Sequence, residues 1–227
     1  MNALSQFTQS INWTDLGDMV LRVVAILLCL IIHEVSHGLA AYHLGDPTAK
    51  MNNRLSLNPL RHLDLFGTLM MVVVGFGWAK PVPVDPRYFK KPKQGMALTA
   101  LAGPVSNFVL AFISALAVNG LMGAVSVKGE GTALITAARF FYLLVLLNIG
   151  LGIFNLIPFP PLDGFHVFND ILLRGRLQLS AQAFRISMLV LLVGMNVTNI
   201  FSRLISTVTH FIQGGMLSAF LGLFGLA

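Results

Sequence analysis

Charge is what this sequence has least of. Asp, Glu, Lys and Arg make up 11% of its 227 residues, where a soluble domain carries about 25%. The deficit runs along the whole chain, and 56% of the residues are hydrophobic. A large soluble core is disfavoured on these grounds alone. Cysteine is nearly absent too. The single thiol, Cys29, lies within an apolar run, so no disulfide can form inside one chain and the redox compartment is not legible. No Lys or Arg stands in the first 17 residues. A secretory signal peptide needs a basic start and a cleavable end, so the first apolar segment is expected to be retained. Linkers, repeats and low-complexity tails are also missing, and residues 1–227 read as one integral-membrane domain.

What is present is a series of apolar segments near the roughly 20 residues that span a bilayer as a helix. The first runs from 16 to 44 and is stopped by Gly45-Asp46-Pro47. The next, 65–79, is short and contains Gly67, Gly75, Gly77 and three successive valines. A re-entrant β-hairpin fits it better than a spanning helix, because non-helical backbone survives at membrane depth only where protein or a wet cavity covers it. Longer segments follow at 95–123 and 132–156, the latter ended by Pro158, Pro160 and Pro161. Two more lie at 181–200 and 204–226. The expected fold is an all-α polytopic membrane protein, with about five to six membrane helices and the hairpin after the first.

The formal net charge is +6. In a soluble protein this would raise nucleic acid as a partner. Here ten of the fifteen Lys and Arg residues sit in segments 45–94 and 157–180, with no amphipathic basic face, so nucleic acid is not expected. The positive-inside rule instead makes those loops cytoplasmic in a multi-pass cell-membrane protein. The N-terminus is then outside.

The chemistry is concentrated in His33-Glu34-Val35-Ser36-His37. Helical residues four apart differ by about 40° in azimuth, so both imidazoles can face one ion. Neutral imidazole is a good zinc ligand. Glu34 projects about 100° away, where a general base beside the metal belongs. His, Glu and His within one apolar helix are costly there and point to function. A catalytic zinc site needs a third protein ligand and an open position. His43 follows His37 by six residues, but Ala40 stands where a helix-breaking glycine would be needed, and in a continuous helix His43 points about 240° away. The other candidate is Asp163, in Asn155-Leu-Ile-Pro-Phe-Pro-Pro-Leu-Asp163-Gly164, where three prolines stiffen the backbone and prevent regular helix.

HEVSHG on one membrane segment and NLIPFPPLDG at the end of a later one resemble the site-2 protease family of intramembrane zinc metalloproteases. The resemblance covers most of the chain. Asn58-Pro59 with His62 and Asp64, followed by GWAKPVPVDP at 77–86, looks like the family's membrane-inserted hairpin region, and Gly103-Pro104-Val105-Ser106-Asn107 looks like its GPxxN element. The resemblance implies His33, His37 and Asp163 as ligands of one zinc ion per chain. It implies Glu34 as the base that activates the attacking water, and Asn107 and Asn155 near the substrate or its oxyanion. The substrates it implies are transmembrane proteins or peptides, cut within the bilayer. Residues 124–131 leave no room for an inserted PDZ domain, so a minimal form of the family is expected. Unwound substrate is expected to add as a strand to the edge at 70–77.

His37 lies about 10 Å from the helix end, so water must reach it through a polar cavity. His62 and Asp64 read better as loop anchors than as catalytic groups. Two other functions use the same residue types. A metal or ion transporter also carries intramembrane His, Asp and Glu, but shows repeats and polar groups spread over many helices. A catalytically inactive scaffold has no need for Glu34 between two histidines.

Overall fold

A computed structural model of the chain describes residues 16–64, 67, 80–128, 131–177, 179–180, 182–184, 186–187 and 189–191. Five α-helices carry the site: α1 (Leu16–His43), α2 (Thr48–Met51), α3 (Pro92–Lys128), α4 (Thr132–Leu156) and α5 (Asp163–Val167). Among the described residues, α1, α3 and α4 are each long and apolar enough to cross a membrane. At 1.5 Å per residue they measure about 42, 55 and 37 Å, against roughly 30 Å of hydrocarbon. The expected hairpin at 65–79, Gly67 apart, and the expected segment 204–226 lie outside the described residues, as does much of 181–200.

Each helix stops where its backbone chemistry requires. Gly45 adopts φ +109°, a conformation that side chains disfavour, and closes α1 through bonds from Leu44 N to Ala40 O and from Gly45 N to Tyr42 O. Asp46 is fully buried. Its carboxylate accepts from Thr48 N at 2.9 Å and from Asp85 N at 2.7 Å, which ties α2 to the loop ahead of α3. Pro92 opens α3, where a missing N–H costs nothing. The Pro158–Pro161 run ends α4, and a short helix restarts at Asp163. The stretch holding Asp163 is therefore not wholly irregular, as its prolines suggest. The irregular part is confined to 157–162, because Pro161 is the last proline before the carboxylate.

The three long helices pack on one another through small side chains. Ala25 and Cys29 of α1 meet Leu144 of α4, and Ala111 of α3 meets Val145 and Ile149 of α4. Lipid tails are as apolar as leucine, so such helices associate through close packing and interhelical hydrogen bonds. The outward faces fit a lipid environment: Val20, Val24, Val105, Val109, Phe112 and Ile113 are all exposed. At one end, the Lys93 ammonium donates to the Arg174 carbonyl. The start of α3 and the segment after α5 therefore meet there, which brings residues from the two basic segments together.

Candidate metal centre

The two histidines of α1 and the first residue of α5 converge at the junction with α3. His33 Nε2 lies 3.1 Å from Asp163 Oδ2, His37 Nε2 lies 3.3 Å from the same oxygen, and the two Nε2 atoms are 3.1 Å apart. The rings are perpendicular, with centroids 4.6 Å apart. Among the described residues this is the only group of three or more His, Cys, Asp or Glu that could hold a metal ion.

Both rings are held from behind. His33 Nδ1 donates to Asn107 Oδ1 at 2.6 Å, and His37 Nδ1 donates to the Thr99 carbonyl at 2.7 Å. Both partners accept only, so each neutral ring carries its proton on Nδ1 and turns the Nε2 lone pair inward. Two lone pairs and a carboxylate oxygen then face one another at contact distance. Asp163 Oδ2 is buried and makes no hydrogen bond. Lone pairs converging in this way repel unless a cation lies among them. Zinc bonds of about 2.0–2.1 Å at a tetrahedral angle place ligand atoms about 3.3 Å apart, close to the three observed separations. The residues present fit zinc.

Two glycines permit this convergence. A Cβ on Gly103 would lie 2.5 Å from His37 Cε1 and Nε2, and 2.6 Å from His33 Cε1. A Cβ on Gly164 would strike the Leu156 carbonyl and lie 2.6 Å from Ile157 O, so only glycine lets α5 fold back against the end of α4. Burial works to raise the Asp163 pKa, but without a metal the imidazoles can take up a second proton on Nε2, and their hydrogen bonds and charge then outweigh burial and hold it at about 2. The group is therefore an anion at neutral pH.

Glu34 is half-buried beside this centre. Its Oε2 accepts from the Val82 N–H at 2.9 Å. The Arg54 guanidinium donates to the Lys80 carbonyl, so a buried cation braces the segment that contacts Glu34. Arg54 itself is pushed below its ordinary pKa by burial and partly restored by the Glu34 charge.

The remaining residues predicted from sequence fall elsewhere or behind the centre. Asn107 is fully buried, with Oδ1 on His33 and Nδ2 donating to Asn148 Oδ1 at 2.9 Å. In this arrangement its amide faces His33 rather than an open cavity. Asn155 donates to Leu151 O within its own helix at 3.0 Å. His43 is exposed and bonds Leu39 O. His62 is buried, its Nε2 donating to Ser56 O, while its own carbonyl accepts from Lys80 N, and Asp64 Oδ1 accepts from Gly67 N. These are anchoring contacts.

Sequence reading missed Thr99, Arg54 and Asn148. A backbone carbonyl such as Thr99 O leaves no sequence signal. Asn148 did leave one, as a lone polar residue in Leu146-Leu147-Asn148-Ile149.

Comparison with known proteins finds relatives named as zinc metalloproteases. Residues 114–197, which include Asp163, match the model of Peptidase family M50. The chain is 40% identical over 183 residues to "Putative zinc metalloprotease YwhC" of Bacillus subtilis (strain 168), covering 78% of this chain and 81% of that one. It is 25% identical over 214 residues to "Zinc metalloprotease MJ0392" of Methanocaldococcus jannaschii, covering 92% of this chain and 51% of that one. Over 95 residues it is 38% identical to "Protease RseP" of Photorhabdus luminescens, covering 38% and 42%. No solved structure matches.

Proposed function

The chain belongs to peptidase family M50, the site-2 protease family, and from that premise we propose that it is a zinc endopeptidase cutting transmembrane segments inside the bilayer. A zinc metalloendopeptidase of the site-2 type is what the family and its named members establish. That zinc belongs to the chemistry follows from the same relatives. The finer reading, of residues and of place, is ours. The observation that carries it is the meeting of His33, His37 and Asp163 between apolar helices, with Oδ2 left without a hydrogen bond.

His33, His37 and Asp163 hold the ion. When bound, zinc polarises the scissile carbonyl and makes water acidic enough to attack near neutral pH. Glu34 takes the proton of the attacking water and returns it to the leaving amine. The Val82 N–H steadies its carboxylate meanwhile. Thr99 O and Asn107 keep both imidazoles in the ligating tautomer. In this reading Asn107 serves the ligand rather than the oxyanion. Asn155 stands at the end of α4, three residues before Pro158, and a turn of its side chain toward the substrate is the remaining oxyanion assignment. The basic segments share one end of the bundle, as the Lys93–Arg174 contact supports. The positive-inside rule makes that end cytoplasmic, with the N-terminus outside.

The test uses purified full-length protein in detergent with zinc and a panel of transmembrane peptides. Glu34→Gln should lose cleavage by about 10²- to 10⁴-fold while keeping its zinc. Ion flux without cleavage would make the protein a transporter. Equal cleavage by the variant would remove Glu34 from the reaction.

A further inference from the structure

Behind His33 runs a buried chain of side-chain amides that nothing in the hydrolytic reaction requires by itself. We infer that Asn148 is a positioning residue for the metal centre, setting the ligating tautomer of His33 through Asn107. The inference rests on His33 being a zinc ligand.

The direction of each bond can be worked from one end. Asn148 Nδ2 donates to Leu144 O at 2.8 Å and to Cys29 Sγ at 3.0 Å. Both its hydrogens are then used, and a flipped amide would set Oδ1 against the Leu144 carbonyl, oxygen to oxygen. Oδ1 must therefore face Asn107, where it accepts from Nδ2 at 2.9 Å. That donation turns Asn107 Oδ1 toward His33 Nδ1, at 2.6 Å. An oxygen there holds the imidazole proton on Nδ1 and leaves Nε2 free, 3.1 Å from Asp163 Oδ2.

Both asparagines are 0% exposed, so water cannot replace a lost partner. The two ligands differ in this respect. His37 faces the Thr99 carbonyl, a backbone group that cannot turn over. His33 faces an amide that can. Without Asn148, Asn107 is free to present Nδ2 to His33, which would force the proton onto Nε2 and close that ligand. Asn148 also joins α4 to α3 and to Cys29 of α1, so the relay spans all three long helices.

The experiment measures zinc affinity by chelator competition on the full-length chain, beside thermal unfolding in zinc-free buffer. Asn148→Leu should weaken zinc binding by about 10- to 100-fold, as loss of an outer partner of a ligand does. Asn107→Asp presents oxygen to His33 whichever way it turns. In that background Asn148→Leu should change zinc affinity by less than about threefold. A residue that merely joins helices would give no such rescue, and would lower zinc-free stability equally in both backgrounds. Asn148→Ala replaces Asn148→Leu if the larger side chain prevents folding, with the same expectation. Unchanged zinc affinity in Asn148→Leu overturns the relay, as does an equal loss in the Asn107→Asp background. His33→Ala binding zinc at full affinity would instead overturn the assignment of the ligands.

Discussion

Gly103→Ala isolates the packing that the metal centre depends on. The added Cβ would lie 2.5 Å from His37 Cε1 and Nε2 and 2.6 Å from His33 Cε1. Ordinary carbon contacts begin near 3.5 Å, so the rings must withdraw by about 1 Å. Ligand distances tolerate only about 0.2 Å. Overpacking of this kind costs about 1–3 kcal/mol. If that cost falls on the liganded geometry, zinc binding weakens by about 5- to 150-fold. The substitution has an opposing effect on α3, since alanine favours helix over glycine by about 1 kcal/mol. Gly120, on the same helix, has nothing within 4 Å of its would-be Cβ. Gly120→Ala therefore carries the helix effect alone and should leave zinc affinity unchanged. Chelator competition on both variants separates the two. Zinc affinity in Gly103→Ala equal to that in Gly120→Ala would refute the close approach of α3 to the imidazoles.

Other outcomes follow from the same contacts. Gly164→Ala should displace Asp163, because the new Cβ strikes the Leu156 and Ile157 carbonyls; zinc content after purification should fall with little change in helix content by circular dichroism. Arg54→Met removes a charged donor from the Lys80 carbonyl and should lower stability by about 2 kcal/mol, read from chemical denaturation, with reduced turnover because the segment contacting Glu34 is loosened. Asp163 is held at about 2, below its unfolded value near 3.9. Its ionised form therefore stabilises the zinc-free protein above pH ~4, and that stabilisation is lost as pH falls toward 2. The melting-temperature gap between wild type and Asp163→Asn should shrink as pH falls below ~4.

Much of this centre was legible in the sequence because its parts are local. HEVSH places two imidazoles on one helical face whatever surrounds it, and a run of apolar residues fixes that helix in a membrane. The ends of α1 and α4 were visible for the same reason, in Gly45 and in Pro158. Asp163 was harder. Its chemistry was readable, but its arrival beside His33 depends on Gly164 fitting against α4, a contact between distant residues. The GPxxN element showed Asn107 as a polar group in an apolar helix, yet not its partner. An amide can bond a ligand, an oxyanion or another helix, and only the geometry of His33 and Asn148 chooses. Thr99 lay beyond reach altogether, since its side chain has no part in holding His37.

The most direct measurement is the zinc content and affinity of wild type, His33→Ala, His37→Ala and Asp163→Ala, each purified as the full chain. One zinc per wild-type chain, with binding lost in all three variants and retained in Glu34→Gln, is the expected result. Wild-type affinity in Asp163→Ala would contradict the account, for the ion would then be held somewhere other than between α1 and α5.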